Sequence, residues 1–314
     1  MKTIAWRQLR HRWGLYLLVL PALGLVATFA YFPAASAVYH SFFRWNGDDI
    51  SEWVGLSNFT RAFSDRTLGW GFLIVLVFIF ANLFKMVPSI VTAVLIHRLT
   101  SDRARYVYRV LFVVPMIIPE MVWLLIWKYF YDPTVGVLNA LLTGTGLMHV
   151  LRWADAAFGW NVFVEGADPA WLGQEALILP SLIFWGFPWV GVVSVLLYLS
   201  GLGNIEQSIY DAAEMDGCGW FRKFWNVELP LIMTQVRLNL ILMVIGTLNM
   251  WGLVFILLGD TGGPGGVAMF PALYLFHKAF RQMDAGYACA IGLLLFFVIL
   301  VLTLINNRYV RVSK

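Results

Sequence analysis

Six apolar runs, near residues 14–39, 70–96, 107–129, 176–200, 236–259 and 285–305, limit what this 314-residue chain can become more than any other feature. About 20 consecutive apolar residues carry an α-helix across the hydrocarbon of a bilayer. Lipid offers the backbone no hydrogen bonds, so only helices or closed barrels cross it. Barrel strands alternate apolar and polar residues, whereas these runs are continuously apolar. Charged residues are only 13% of the chain, against ~25% in a soluble domain. The expected fold is an all-α integral membrane protein with six transmembrane helices.

Lys and Arg set the orientation, because cytoplasmic loops carry the excess. Lys2, Arg7, Arg10 and Arg12 precede the first run, and Arg98, Arg103, Arg105 and Arg109 lie between the second and third. Arg222, Lys223 and Arg237 follow the fourth, and Arg308, Arg311 and Lys314 end the chain. Half as many fall on the other side: Arg44, Arg61, Arg66, Lys128, Arg152, Lys278 and Arg281. Both termini and the 201–235 loop are therefore expected in the cytoplasm, with 1–13 as a cytoplasmic N-terminus. The net charge of +4 comes from these topology residues and does not imply nucleic acid. A basic start followed by an apolar run and Ala35-Ser36-Ala37 also fits a cleavable signal peptide. The run from Gly14 to Phe32 exceeds the ~7–15 residues of a signal core, which favours a retained span.

Between the runs, the segment 130–175 is long for a structureless connector, so short helices on the outer surface are expected there. The glycine-rich "GDTGGPGG" lacks the Gly-Lys-Ser/Thr of a phosphate-binding loop. No nucleotide-binding motif occurs elsewhere, so the chain is not expected to hydrolyse ATP. His11, His40, His97, His149 and His277 are scattered, and Cys218 and Cys289 make neither a metal site nor an expected disulfide. An intramembrane enzyme is disfavoured.

The stretch "DAAEMDGCGWFRKFWNVELP" at 211–230 is conspicuously polar. Asn204 and Gln207 have the spacing of a capping box, and Ile205, Ile209, Ala212 and Met215 share one helical face. Gly217 sits where a left-handed turn would end the helix. A helix over 205–217 would be roughly 16 Å long, too short to span a bilayer. A second short helix with Trp220, Phe221, Phe224 and Trp225 would follow. Leu229-Pro230 would then open the next span, since proline suits a first helical turn. The segment is either an amphipathic connector or a docking element. The physical chemistry of the residues leaves both open.

The spacing Asp211-Ala212-Ala213, Gly217, Val227 and Leu229-Pro230 resembles the EAA loop of ABC importer permeases, with Asp211 in place of Glu and Val227 in place of Ile. "YRVLFVVPMIIPEMVWLLIWKYFYDPTVGVLN", "TGGPGG" and "HKAFRQMDAGYACAIG" resemble the maltose-type carbohydrate permeases, and specifically the first of two paired permeases. The resemblance spans roughly 14–312, with 147–168 as an elaboration. It implies a MetI-like core and a coupling loop at 203–233. Asp211, Ala212, Ala213, Asp216, Gly217, Leu229 and Pro230 would then face an ATPase. It further implies a second permease, two ATP-binding cassette subunits that carry ATP and Mg, an extracytoplasmic solute-binding protein and a bacterial inner-membrane location. This chain itself would hold neither cofactor nor metal.

Asn249 and Thr247 are the strongly polar residues of the fifth run. An unpaired buried amide costs a few kcal/mol, so Asn249 should meet either another helix or solute. The resemblance adds that this span lines the sugar path, which makes Trp251, Gly252 and, less directly, Trp185 further candidates. Lys85 and Glu120 lie at matched depth, roughly 17 Å from the inner ends of the second and third runs. They are expected to form a charge pair, structural or part of a substrate or proton site. The resemblance implies a carbohydrate importer permease. Glycerol phosphate or a glycerophosphodiester is the alternative solute. An ion-coupled secondary transporter is the rival of another class, although no inverted repeat or broken helix is visible.

Overall fold

A computed structural model of the chain describes residues 13–309. Among these, three helices are by themselves long and apolar enough to cross a membrane: Leu17–His40, Arg66–His97 and Ala285–Asn306. The other apolar runs are interrupted, which corrects the expectation of unbroken spans. Counting as one span each the bent pairs Asp102–Ile117 with Glu120–Phe130, Val192–Gly203 with Gln207–Met215 and Trp220–Leu231 with Met233–Leu248 brings the total, by length and composition, to as many as six.

The interruptions follow from local chemistry. In the third run, Asp102–Ile117 and Glu120–Phe130 meet at 86°. Ile118 is extended (ψ 123) because the proline after it disfavours the helical region. The fourth run divides into Glu175–Phe184 and Val192–Gly203. Between them, Gly186 and Trp189 have positive φ and Phe187–Pro188 is cis. The fifth divides into Met233–Leu248 and Gly252–Leu258, with Asn249, Met250 and Trp251 between.

The described residues form two compact units, one of residues up to Ser64 with Lys278–Leu294, the other of Asp65–His277 with residues from Leu295. In the first unit, Leu17–His40 continues into an antiparallel hairpin pairing Phe43 with Trp53 and Trp45 with Ser51. Asn58 is buried and donates to the carbonyls of Ser41 and Phe43, both at 2.9 Å, pinning the start of the hairpin. Arg61 meets Asp284 at 2.7 Å.

The second unit is built on Arg66–His97. Asp65 caps its N-terminus by accepting from the amides of Thr67 and Leu68. Its C-terminal half (Ile90, Ala93, Val94, Ile96) packs with Val195, Tyr198, Leu199, Leu202 and Ile232 in one apolar core. A side chain at Gly201 would collide with Gln235, so glycine there permits close helix approach. Polar side chains join these helices: Asn239 donates to the Tyr198 hydroxyl at 2.7 Å and accepts from Ser194 at 3.0 Å. Such small and polar contacts hold membrane helices together where the hydrophobic effect gives little drive.

The segment 130–175 contains short helices, as expected: Val137–Gly144 and Leu147–Phe158. It has its own core of Trp127, Tyr131, Met148, Phe163, Trp171 and Leu177. Buried Asn139 fastens this core, donating to Pro133 and Pro169 carbonyls and accepting from the Trp171 indole at 2.7 Å. The "TGGPGG" stretch is a tight turn. A side chain on Gly262 (φ 71) would strike the backbone of Ala268 and Met269, and one on Gly265 (φ 62) would strike the Glu175 carboxylate.

Candidate functional site

The polar stretch after the fourth run folds as a helix over Gln207–Met215. It begins later than the sequence suggested. Asn204 caps the C-terminus of Val192–Gly203, and Glu206 precedes the new helix without a side-chain cap. Its end is as expected. Gly217 has φ 69, and its amide donates to Glu214 O while the Cys218 amide donates to Ala213 O at 2.9 Å. This double bond pattern closes the helix with a left-handed glycine.

The two faces of that helix differ. Tyr210 and Ala213, three residues apart, are buried. The Tyr210 hydroxyl is hydrogen-bonded to His97 Nε2 at 3.1 Å. Burial, reinforced by the nearby Glu228 carboxylate, pushes the Tyr210 phenol up to about 12. The other face carries Ile209, Asp211, Ala212 and Met215, all exposed, Met215 at 89%. Ala213 therefore does not belong to this outward surface. Its small size serves the chain's own packing, a correction to the expectation that both alanines face a partner.

The following segment, Trp220–Leu231, bends by 70° into Met233–Leu248. Leu229-Pro230 thus forms a helical turn before the bend, and the long helix of the next span begins at Met233. Arg98, at the end of Arg66–His97, holds the segment in place. It pairs with Glu228, donates to the Trp220 carbonyl at 3.1 Å, and lies 4.5 Å from the centre of the Trp220 ring. Lys223 reaches back to Glu214 at 2.7 Å. Of the coupling candidates, Asp211 and Ala212 are exposed in the middle of the helix and Asp216 and Gly217 at its end, with Leu229 half-buried and Pro230 exposed.

The solute-path candidates sit at the interruptions. Asn249 ends Met233–Leu248, is exposed, and donates to Ile245 O at 3.0 Å. Thr247 is the buried neighbour that joins helices, accepting from Asn82 Nδ2 at 2.9 Å. Trp251 and Gly252 open the second half of the fifth run, and the Trp251 ring stacks on Phe276 at 5.3 Å. Trp185 ends Glu175–Phe184 and packs at the margin of the outer-segment core.

Lys85 and Glu120 do not form the expected pair. Lys85 Nζ lies 5.9 Å from the Trp189 ring centre, and among the described residues no ion pair joins it to Glu120. Glu120 instead opens the helix after the 86° break, where it is exposed. Matched depth was computed along straight helices, and the break invalidates it. Asn82, Arg98, Trp189 and Glu228 escaped the sequence reading. Asn82 could have been found from its place three residues before Lys85 on the same helical face.

A family profile described as "binding-protein-dependent transport system inner membrane component" matches residues 89–311. The chain is 29% identical to the diacetylchitobiose uptake system permease NgcF of Streptomyces coelicolor, over 89% of this chain and 77% of that protein. It is 25% identical to the sn-glycerol-3-phosphate transport system permease UgpA of Agrobacterium fabrum, over 94% of each. Its fold matches a chain of a bacterial ABC transporter that imports the acidic polysaccharide alginate, with a TM-score of 0.78, 20% identity and 99% of each chain covered.

Proposed function

The chain belongs to the family of binding-protein-dependent transport system inner membrane components, and from that premise we propose that it is the permease subunit of an ATP-driven carbohydrate importer. A solute-binding protein delivers the saccharide from outside. A companion permease completes the path, and two ATPases engage the loops on the cytoplasmic side. The observation that carries this reading is the helix Gln207–Met215, whose exposed Ile209, Ala212 and Met215 face away from a buried Tyr210–Ala213 side. Its rigid end at Gly217 and the Arg98–Glu228 anchor let a push on the exposed face move the membrane helices behind it. The other side of the mechanism is the path, with Asn249, Trp251 and Gly252 at a helix break where backbone and aromatic faces can meet a sugar.

The sequence disfavours an ion-coupled secondary transporter because it shows neither an inverted repeat nor a broken helix. The breaks at 118–119, 185–191 and 249–251 remove the second of those reasons. Family membership takes its place, and Lys85 and Glu120 do not form the pair that the rival needed. The solute is a saccharide or a smaller polyol phosphate, the two classes named by the permeases to which the chain is similar.

The test is reconstitution. The permease pair, ATPases and binding protein in proteoliposomes should accumulate the solute only with ATP inside. Uptake driven by an ion gradient without ATP would refute the reading.

A further inference from the structure

Between its ends the helix Arg66–His97 carries a single charge, Lys85. Lys85 lies a dozen residues from His97, about 18 Å at 1.5 Å per residue. That is more than half of a hydrocarbon layer about 30 Å thick. An uncompensated charge at such depth costs about 2.5–3.5 kcal/mol on insertion scales. The Trp189 ring, 5.9 Å away, is at the outer limit of a cation–π contact and cannot stand in for a counter-ion. Among the described residues no carboxylate pairs with Lys85.

Its neighbours on the same helical face explain where the ammonium points. Asn82, three residues earlier, bonds Thr247 at 2.9 Å, beside the Asn249–Trp251 interruption. Ser89, four residues later, donates to Trp189 O at 3.2 Å and accepts from the Gly191 amide at 3.0 Å, inside the 185–191 interruption. Lys85 sits between these two anchors, so both helix breaks meet this helix at its level. Interrupted helices are tolerated at membrane depth where they line a cavity or are buried in protein, and transporters place solute there. Asn82 and Ser89 already have protein partners. The ammonium of Lys85 is the charged donor of the stripe left for something else.

We propose that Lys85 is a specificity-determining residue of the solute path and supplies the counter-charge for an anionic group, carboxylate or phosphate, on the transported solute. The inference rests on the importer reading and narrows its solute to acidic saccharides or sugar-type phosphates. A carboxylate or phosphate against a lysine in a site of low dielectric forms a charge-assisted hydrogen bond about twice as strong as a neutral one.

The experiment uses the assembled complex of this permease, its companion and the ATPases in lipid nanodiscs, without binding protein. Melting temperature is followed against trigalacturonate, neutral galactotriose and sn-glycerol 3-phosphate. One of the two anionic probes should stabilise the complex at roughly tenfold lower concentration than galactotriose, about 1.4 kcal/mol. Which one does so tells a carboxylate site from a phosphate site. Lys85→Met should erase the preference and Lys85→Arg should keep it, with Lys85→Gln as the substitute if Lys85→Met does not assemble. Equal responses to charged and neutral probes in the unmodified complex would overturn the inference, as would a preference that survives Lys85→Met. An acid of the companion permease as the true partner would show as loss of stability in Lys85→Met without any ligand and no anion preference in the unmodified complex, and this too overturns it. ATP-dependent uptake by the same complex with its binding protein reports the importer reading separately.

Discussion

Arg98 grips the fully buried carboxylate of Glu228 with two parallel hydrogen bonds, Nε to Oε1 at 2.9 Å and Nη2 to Oε2 at 2.7 Å, across 130 positions of sequence. This fork-to-fork geometry ties the C-terminal end of the long helix Arg66–His97 to the segment that follows the exposed helix Gln207–Met215. Lysine could supply the charge but not both bonds. Under the importer reading proposed above, this tie is what would carry movement of that segment to a membrane helix.

Glu228 with no guanidinium beside it would be an uncompensated buried charge. Arg98→Met should destabilise the region by about 3–5 kcal/mol, and Arg98→Lys by less. Arg98→Met with Glu228→Leu should recover most of the loss. Melting curves of the purified complex and the amount of ATPase that co-purifies measure both. A double variant as unstable as Arg98→Met would remove the pair from the account.

Gly217 is a conformational requirement and not a steric one, because a side chain there would meet nothing within 4 Å. Gly217→Val should therefore cost roughly 1–2 kcal/mol through the left-handed backbone alone. Gly217→Asn should cost less. The expected readout is hydrolysis of ATP uncoupled from uptake in the valine variant, with insertion intact. Normal coupling in Gly217→Val would make the loop a mere connector.

The two alanines should separate by phenotype. Ala213→Trp overfills a buried position, at about 1–3 kcal/mol or more, and should lower the melting temperature of this chain by itself. Ala212→Trp is exposed and should leave that temperature unchanged while weakening ATPase capture. Cys218, beside the turn, should crosslink to thiols placed around the ATPase cleft, with a yield that changes on ATP binding.

Asn249 and Thr247 should also part company. Thr247→Val breaks the bond to Asn82 and should lower stability by about 0.6–1.7 kcal/mol, the range for such bonds in membranes. Asn249→Ala should leave assembly and basal hydrolysis in place but reduce uptake. Unchanged uptake kinetics would return Asn249 to a capping role.

A pH dependence follows from Tyr210. Its phenol is raised from 10 to about 12, first by burial and then by Glu228. The unfolded chain gives up this proton near pH 10 and the folded chain near 12. The stabilising contribution is complete below pH 10 and is lost as pH climbs through 12. The protection of the Gln207–Met215 amides, taken relative to the base-catalysed exchange rate of an unfolded chain at each pH, should fall over that window, and Tyr210→Phe should flatten the response at the expense of the His97 bond.

Several of these features were legible in the residues themselves because they are local. Runs of apolar side chains favour helix in lipid, and the proline and glycine that interrupt them are themselves local signals. The Gly217 turn depends on a few consecutive residues, and the short helices of 130–175 follow from the length of that segment. Asp216 and Gly217 lie together because one helix end presents them.

The remainder depends on contacts between distant positions. Which of two adjacent alanines is buried was decided by Tyr210 reaching His97, and the partner of Arg98 by a bend at Ile232. Lys85 and Glu120 were matched by counting along straight helices, but the turn at Ile118–Pro119 sends Glu120 elsewhere and leaves Lys85 beside Trp189. Hydropathy and turn preference are properties of neighbouring residues, so a linear chain displays them. Burial and charge pairing are properties of directions in space, and each break in a helix changes those directions for every residue beyond it.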